Sequence, residues 1–140
     1  MIKEKSAGLI IFRLEHKKRK YLLLYKQAAL GYKESWDFPK GWIEKSETKL
    51  KTAIRESKEE AGIVKLKIIP GFKKKVFYTY KNNEGKLVHK TVIWFLAETT
   101  QKKAKVSWEH KSYKWFSYKD ALRKATFKRT KEVLKIAEKF

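Results

Sequence analysis

The sequence contains no cysteine, which excludes disulfide bonds, thiolate metal sites and a cysteine nucleophile. It has only 2 prolines and 6 glycines, so no proline- or glycine-rich linker divides it into domains. The longest apolar run, residues 92–97, is far too short to span a bilayer, and residues 1–5 lack the apolar core of a signal peptide. These absences predict a single domain over residues 1–140, located in the cytoplasm and without membrane contact.

Acidic residues are also scarce, since 15 Asp and Glu stand against 36 Lys and Arg and give a net charge of +21. One interpretation is a lysine-covered surface that takes part in ion-pair networks, as in thermophilic proteins. The other is attraction of a polyanion, either a nucleotide polyphosphate or RNA. The basic residues are spread along the whole chain, which favours the first interpretation for most of them and keeps RNA as an alternative partner.

The 42% hydrophobic and 14% aromatic residues indicate a folded core, and their pattern predicts an α/β protein. Residues 28–38 are expected to form a loop and residues 47–61 a helix. Ser117 and Asp120 are typical of a helix cap that opens a helical region reaching Phe140. Strands are predicted over residues 6–13, 21–26, 63–69, 72–80, 87–97 and 113–116. Strands before, between and after two helical regions suggest a mixed β-sheet between helices.

The most informative segment, residues 41–63, reads GWIEKSETKLKTAIRESKEEAGI. Its helix would bury an apolar stripe on one side, and Gly62 suits the position just past the helix end. At about 100° per residue, Glu56, Glu59 and Glu60 project together from another side. Crowded carboxylates repel one another unless a cation lies between them, and hard oxygen ligands are what Mg²⁺ prefers. The spacing therefore indicates a site for Mg²⁺, with Mn²⁺ as the alternative metal.

A plainer interpretation of this helix is a solvated acidic face whose partners are the neighbouring lysines Lys49, Lys51 and Lys58. Two upstream residues favour the metal site, because Gly41 and Glu47 complete a fixed spacing that a solvated helix does not need. Arg55 precedes the carboxylates and could pair with Glu47, which would fix the loop before the helix.

This spacing resembles the signature of the Nudix hydrolases, which use divalent metal to cleave a nucleoside diphosphate linked to another group. The matching positions are Gly41, Glu47, Arg55, Glu56, Glu59, Glu60, Gly62 and Ile63. Ser57 departs from the signature, because the family usually carries an aliphatic residue there. The resemblance implies the Nudix architecture, an α/β/α sandwich with a mixed β-sheet between helices, with Glu47 and Gly62 in structural roles.

The flanking segments resemble the asymmetrically cleaving diadenosine tetraphosphate hydrolases of this family. The resemblance extends over residues 6–128, and its motifs are SAGLIIFR (6–13), WDFPKG (36–41), PGFK (70–73), KTVIWFLAE (90–98), WEH (108–110) and YKW (113–115). Ser35 and Trp42 depart from it, because animal members often carry histidine at both positions, near the phosphates.

The resemblance also implies roles for residues outside the signature. Glu109 is expected to supply a further metal-binding carboxylate, and Tyr78 and Phe127 would stack an adenine between them. Further candidates for substrate binding are Trp36, Lys40, Gly41, Lys75, Lys81 and Lys90. Each role has a plainer alternative: an ordinary loop glutamate, a core aromatic residue or a solvated surface lysine.

Together these roles imply a pyrophosphohydrolase in which water attacks phosphorus and diadenosine tetraphosphate yields ATP and AMP. Glu59 or Glu109 would take the proton from the water, Arg55 belongs to the same catalytic group, and lysines would stabilise the departing polyphosphate. The alternatives are pyrophosphate removal from triphosphorylated RNA ends, house-cleaning of damaged nucleoside triphosphates, and a non-catalytic nucleotide or RNA sensor. The intact carboxylates argue against the sensor, and a monomer is expected.

Overall fold

A computed structural model describes residues 1–29 and 33–140, so residues 30–32 of the predicted loop lie outside the described residues. The described residues form an eight-stranded sheet and three helices. The strands are β1 Ile2–Glu15, β2 Lys18–Lys26, β3 Ser35–Asp37, β4 Lys40–Trp42, β5 Lys67–Ile68, β6 Lys74–Lys81, β7 Leu87–Glu98 and β8 Ser112–Ser117. The helices are α1 Lys49–Ala61, α2 Tyr118–Lys124 and α3 Lys128–Glu138. Among these described residues, no helix has the length and apolar character needed to cross a membrane.

The long strand β1 lies at the centre of a mixed sheet whose main order is β3–β2–β1–β7–β5. It runs parallel to β7 and antiparallel to β2. On the β2 side, residues 6–8 of β1 pair with β4, whereas residues 12–15 pair with β2. Off this main path, β6 pairs with β7 and β8 pairs with β2. The short β4 is thereby attached to the first half of the central strand.

Helices cover both faces of the sheet. One face packs against α1 through a core that includes Leu9, Ile11 and Ala53. The opposite face packs against α2 and α3 through a second core that includes Ile10 and Leu134. Because successive strand residues alternate between the two faces, every residue of the run LIIF in β1 is buried. This α/β/α sandwich with a mixed sheet confirms the predicted fold class.

Two predicted strand boundaries need correction. The strand predicted over residues 63–69 contains only β5, Lys67–Ile68. The backbone N–H groups of Val64 and Lys65 donate to the side-chain oxygen of Gln101, at 2.9 and 3.4 Å. A side chain therefore takes the place of a neighbouring strand in this segment. The loop predicted over residues 28–38 contains β3, which pairs with β2.

The C-terminal helical region is two helices rather than one. Ser117 caps α2 as predicted, because its hydroxyl accepts a hydrogen bond from the Asp120 N–H at 3.2 Å. Thr126, between the helices, pairs instead with Trp36 of β3. Its hydroxyl accepts from the Trp36 N–H at 2.7 Å, and its own N–H donates to the Trp36 carbonyl at 3.2 Å. This exchange interrupts the helix and places Phe127 directly before α3.

The helix of the signature segment, α1, begins two residues later than predicted. Thr48 caps it, since its hydroxyl accepts from the Lys51 N–H at 3.2 Å, so Glu47 stays in the preceding loop. Gly62 follows the helix end in the left-handed region, with φ 65°, as its position predicted. Ser57, the departure from the signature, is fully buried, and its hydroxyl donates to a main-chain carbonyl of residue 63 at 3.5 Å.

We expect Leu134→Ala to lower the free energy of unfolding by about 2–5 kcal/mol, because Leu134 is fully buried between α3 and the sheet. The matched control is Ile136→Ala in the same helix. The Ile136 side chain is 41% exposed, so its loss should stay below about 1 kcal/mol. Urea titrations followed by circular dichroism measure both values, and equal losses would contradict this packing of α3.

Candidate active site

A cleft of about 840 Å³ opens where β4, α1, β6 and the segment before α3 meet. Its walls combine acidic, basic and aromatic side chains. The residues singled out from the sequence that line it are Lys40, Gly41, Arg55, Glu56, Glu60, Tyr78, Lys81, Lys90, Glu109 and Phe127. Asp37 and Arg129 also line it, although neither was given a role from the sequence. Because most candidates share this one cavity, we take it as the candidate active site.

The Arg55 guanidinium fixes the loop that precedes α1. Its Nε and one terminal nitrogen donate to the two carboxylate oxygens of Glu47, at 2.8 and 3.0 Å, so the predicted pairing is present. The same terminal nitrogen donates to the Trp42 carbonyl at 3.0 Å. Hydrogen bonds from Arg55 and from the Thr52 hydroxyl lower the pKa of Glu47 to about 2. Glu47 is therefore ionised at neutral pH and holds the loop against the helix.

Arg55 also faces two of the predicted metal-binding carboxylates. Its second terminal nitrogen lies 3.1 Å from an oxygen of Glu59 and 3.5 Å from an oxygen of Glu56. Within residues 1–29 and 33–140, no ion pair joins these glutamates to the lysines that a solvated acidic face would use, Lys49, Lys51 and Lys58. The ion-pair partner of these carboxylates is therefore the Arg55 guanidinium of the site and not a surface lysine.

Glu56 and Glu60 are carboxylates in a poorly solvated position. Glu56 is buried next to Gly41, where a Cβ atom on Gly41 would collide with the Glu56 carboxylate. Glu60 accepts a hydrogen bond from the Lys40 N–H at 3.1 Å. Burial raises the pKa of Glu56 to about 7 and that of Glu60 to about 8, and repulsion from nearby carboxylates, including Glu109, contributes to both shifts.

The turn that carries Glu109 is tied to the C-terminal end of α1. The Ser107 N–H donates to the main-chain carbonyl of Glu60, and the His110 N–H donates to that of Ser107, each at 3.0 Å. The exposed Glu109 is thereby close enough to repel Glu56 and Glu60. Burial lowers the pKa of His110 to about 4, so this histidine is neutral at pH 7 and adds no positive charge.

These carboxylates fit a divalent cation. Glu56, Glu60 and Glu109 repel one another. A cation between them would remove this repulsion and would stabilise the charged forms of Glu56 and Glu60, which burial disfavours. In the described part of the chain, no three acidic or histidine side chains already stand in a metal-binding arrangement. Glu59 accepts a hydrogen bond from Arg55 at 3.1 Å through one carboxylate oxygen.

The basic side of the cleft contains Lys40 and Lys90. The Lys40 ammonium donates to the buried Asp37 carboxylate at 3.0 Å. Burial alone would lower the pKa of Lys40, but Asp37 raises it above its ordinary value. Lys90 lies 3.6 Å from Glu4, and burial, followed by repulsion from Lys40, lowers its pKa. Two partly buried cations side by side suit an anion such as phosphate.

The two predicted stacking rings both contact a third side chain, that of Arg129. Tyr78 comes from β6 and Phe127 from the residue before α3, and both are half-buried at the cleft. The guanidinium carbon of Arg129 lies 3.7 Å from the centre of the Tyr78 ring and 4.0 Å from that of Phe127. Neither ring is wholly committed to the interior, although Tyr78 also packs against the core.

Three other candidates, Trp36, Glu59 and Lys75, are not among the residues that line the cleft. Trp36 packs edge-on against Phe116, with ring centres 5.5 Å apart, which matches the packing alternative. Glu59 is exposed beside Arg55. Lys75 is exposed on β6, and because strand residues alternate, it projects from the face opposite to Tyr78.

Known proteins resemble this chain in sequence and in fold. Residues 3–135 match the family model described as the NUDIX domain. The chain belongs to the Nudix family. Its relatives include the bis(5′-nucleosyl)-tetraphosphatase (asymmetrical) of Sus scrofa, which is 38% identical over 97% of this chain and 94% of the relative. The RNA pyrophosphohydrolase of a Nitratiruptor species is 32% identical over 76% of this chain and 74% of its own length.

A solved structure of a Nudix relative has the same fold. The crystal structure of a C. elegans Ap4A hydrolase binary complex superposes with a TM-score of 0.81 at 32% sequence identity, covering 94% of this chain and 93% of that one. Nudix hydrolases generally need divalent metal ions, the class of cation that Glu56, Glu60 and Glu109 fit.

We expect Gly41→Ala to weaken Mn²⁺ binding by about 10–100-fold, because the added Cβ would displace the Glu56 carboxylate. The control is Gly85→Ala in the β6–β7 turn, where a Cβ meets no atom within 4 Å. That change strains the backbone, since Gly85 has φ 78°, but it should leave Mn²⁺ affinity unchanged. Calorimetric titration with Mn²⁺ measures both, and unaltered affinity in Gly41→Ala would remove Glu56 from the ligand set.

Proposed function

We propose that this Nudix protein is a metal-dependent pyrophosphohydrolase of dinucleoside polyphosphates, which converts diadenosine tetraphosphate to ATP and AMP. The observation behind this proposal is that one cleft combines carboxylates that fit a divalent cation, lysines suited to phosphate and two rings suited to a base. The 38% identity to the Sus scrofa tetraphosphatase and the superposition on the C. elegans Ap4A hydrolase support the substrate class.

The proposed metal is Mg²⁺, with Mn²⁺ as the alternative, held by Glu56, Glu60 and Glu109. Glu59 would be a fourth ligand through the carboxylate oxygen that Arg55 does not hold. A divalent ion at this position supplies neutralisation of phosphate charge and activation of water.

The chain's own residues account for the remaining steps. Glu59 and Glu109 are both exposed and are the two candidates to accept the proton from the attacking water. Arg55 orients Glu59 through the 3.1 Å hydrogen bond. Lys40 and Lys90 stabilise the phosphates, and Asp37 helps to keep Lys40 charged.

The decisive experiment compares kcat/KM for diadenosine tetraphosphate, nucleoside triphosphates and triphosphorylated RNA with Mg²⁺. The highest value should belong to diadenosine tetraphosphate. A preference for nucleoside triphosphates would indicate the house-cleaning alternative. Binding without hydrolysis of any of the three would indicate a sensor.

We expect Glu59→Gln to keep the fold and to lower kcat/KM for diadenosine tetraphosphate by about 10²–10⁴-fold, because it removes a proton acceptor and potential ligand beside Arg55. Glu84→Gln, an exposed carboxylate paired with Lys86 in the β6–β7 turn, is the control and should retain full activity. Circular dichroism checks the fold of both variants. If Glu59→Gln keeps more than about half of the wild-type kcat/KM, Glu59 has no catalytic role and Glu109 becomes the proton acceptor.

The second candidate function is pyrophosphate removal from RNA ends. Two observations favour it: the net charge of +21 and the 32% identity to the RNA pyrophosphohydrolase of the Nitratiruptor species. An RNA strand would extend beyond the cleft onto lysines at or just after α3, whereas a short polyphosphate would not. These lysines are Lys128, Lys131, Lys135 and Lys139.

Reversing these four lysines to glutamate should leave kcat/KM for diadenosine tetraphosphate within about threefold at 0.15 M salt, where exposed charges beyond about 8 Å are screened. If RNA is the substrate, activity on triphosphorylated RNA should fall steeply and become less sensitive to salt, because each lost phosphate contact flattens the salt dependence by about 0.7 log units per log unit. A large drop confined to RNA would make the RNA-end enzyme the better assignment.

A cytoplasmic location and a monomeric state remain predictions from the sequence.

A further inference from the structure

Arg129, the second residue of α3, holds its guanidinium against the two rings proposed to bind the base. Its guanidinium carbon is 3.7 Å from the centre of the Tyr78 ring and 4.0 Å from that of the Phe127 ring. Both distances are those at which a guanidinium stacks on an aromatic face. A side chain of the protein itself therefore occupies the space next to both rings.

None of the described residues accepts a hydrogen bond from this guanidinium. Every other arginine has a hydrogen-bond partner in the structure, namely Arg13, Arg19, Arg55 and Arg123. In the part of the chain that the structure describes, no hydrogen bond or ion pair involves the Arg129 side chain, so its five N–H donors have no protein acceptor. Its charge acts instead on Lys90, where it adds to the repulsion from Lys40.

A base and this guanidinium compete for the same place. A nucleobase can stack on both Tyr78 and Phe127 only after the Arg129 side chain has moved away. The two ring contacts are the guanidinium's only specific contacts among the described residues, so a ligand that offers it better partners can displace it. Phosphate oxygens are such partners, because a guanidinium donates to them through two parallel hydrogen bonds. They would also relieve the repulsion among Arg129, Lys90 and Lys40.

We propose that Arg129 is a specificity-determining residue that fills the base slot until a polyphosphate-bearing nucleotide enters. The base then takes the ring contacts, and the guanidinium transfers to the phosphate chain. A nucleoside must displace Arg129 without offering it phosphate, so the exchange favours polyphosphates over nucleosides. This proposal rests on the proposed base-stacking role of Tyr78 and Phe127.

The test measures the affinities of adenosine and of a nonhydrolysable diadenosine tetraphosphate analogue by calorimetry without metal. In Arg129→Ala, adenosine should bind about 5–30-fold tighter, the change that two exposed cation–π contacts correspond to. The analogue should gain less or lose affinity, because it also loses a phosphate contact. The dissociation constant of adenosine divided by that of the analogue should therefore fall. Unchanged or weaker adenosine binding would overturn the proposal.

Three further variants separate the explanations. Arg123→Ala removes the same charge from an exposed position on α2 and should alter neither affinity. Arg129→Lys keeps the charge but loses the planar fork. If it behaves like the wild type while Arg129→Ala weakens both ligands equally, Arg129 acts only as a charge and the proposal fails. Tyr78→Ala, added to Arg129→Ala, should abolish the gain in adenosine affinity; a retained gain would show that the ring is not the base site.

Hydrolysis of diadenosine tetraphosphate by the wild-type protein with Mg²⁺ is measured separately, because it tests the proposed function and not the role of Arg129. No hydrolysis together with the expected shift in adenosine affinity would reject the proposed function but not the role of Arg129. Hydrolysis without that shift would reject only the role of Arg129.

Discussion

The two-pronged ion pair between Arg55 and Glu47 is the interaction on which the acidic wall of the cleft depends. Glu47 lies before α1, and its carboxylate stays ionised because Arg55 and Thr52 donate to it. The same guanidinium holds the Trp42 carbonyl at the end of β4. It therefore draws β4 against α1, and this approach is close enough that a Cβ atom at position 41 would collide with the Glu56 carboxylate.

This arrangement buries charged side chains of the cleft, which does not by itself favour folding. Burial raises the pKa of Glu56 and of Glu60, and the positive side of the cleft brings Lys40 and Lys90 close together. The carboxylate grouping costs free energy in the absence of a cation, whereas Lys40 and Lys90 each have a carboxylate partner, Asp37 and Glu4. The two apolar cores, one on each face of the sheet, offset this cost. The cleft therefore places carboxylates that suit a cation opposite two lysines that suit an anion, which fits a ligand that carries both.

Local spacing was sufficient to predict much of this molecule. The helix end at Gly62 and the pairing of Arg55 with Glu47 follow from residues close in the chain, and the buried strands follow from continuous apolar runs. The errors arose where distant residues decide the outcome. Gln101 satisfies the backbone near residue 64, and the exchange between Thr126 and Trp36 breaks the last helical region. Arg129 had no distinguishing pattern, because it is one of 36 basic residues and one of the two rings that it contacts, Tyr78, comes from a distant strand.

The carboxylates and the rings of the cleft come from different layers of the sandwich. The carboxylates belong to α1 and to a turn tied to its end, whereas Tyr78 belongs to β6 and Phe127 precedes α3. The two groups line the same cleft but are carried by different elements of the fold. The set of molecules that this fold accepts can therefore diverge through these rings without any change in the sequence of α1. Residue 129, at the start of a surface helix, is a position where such divergence requires a single codon.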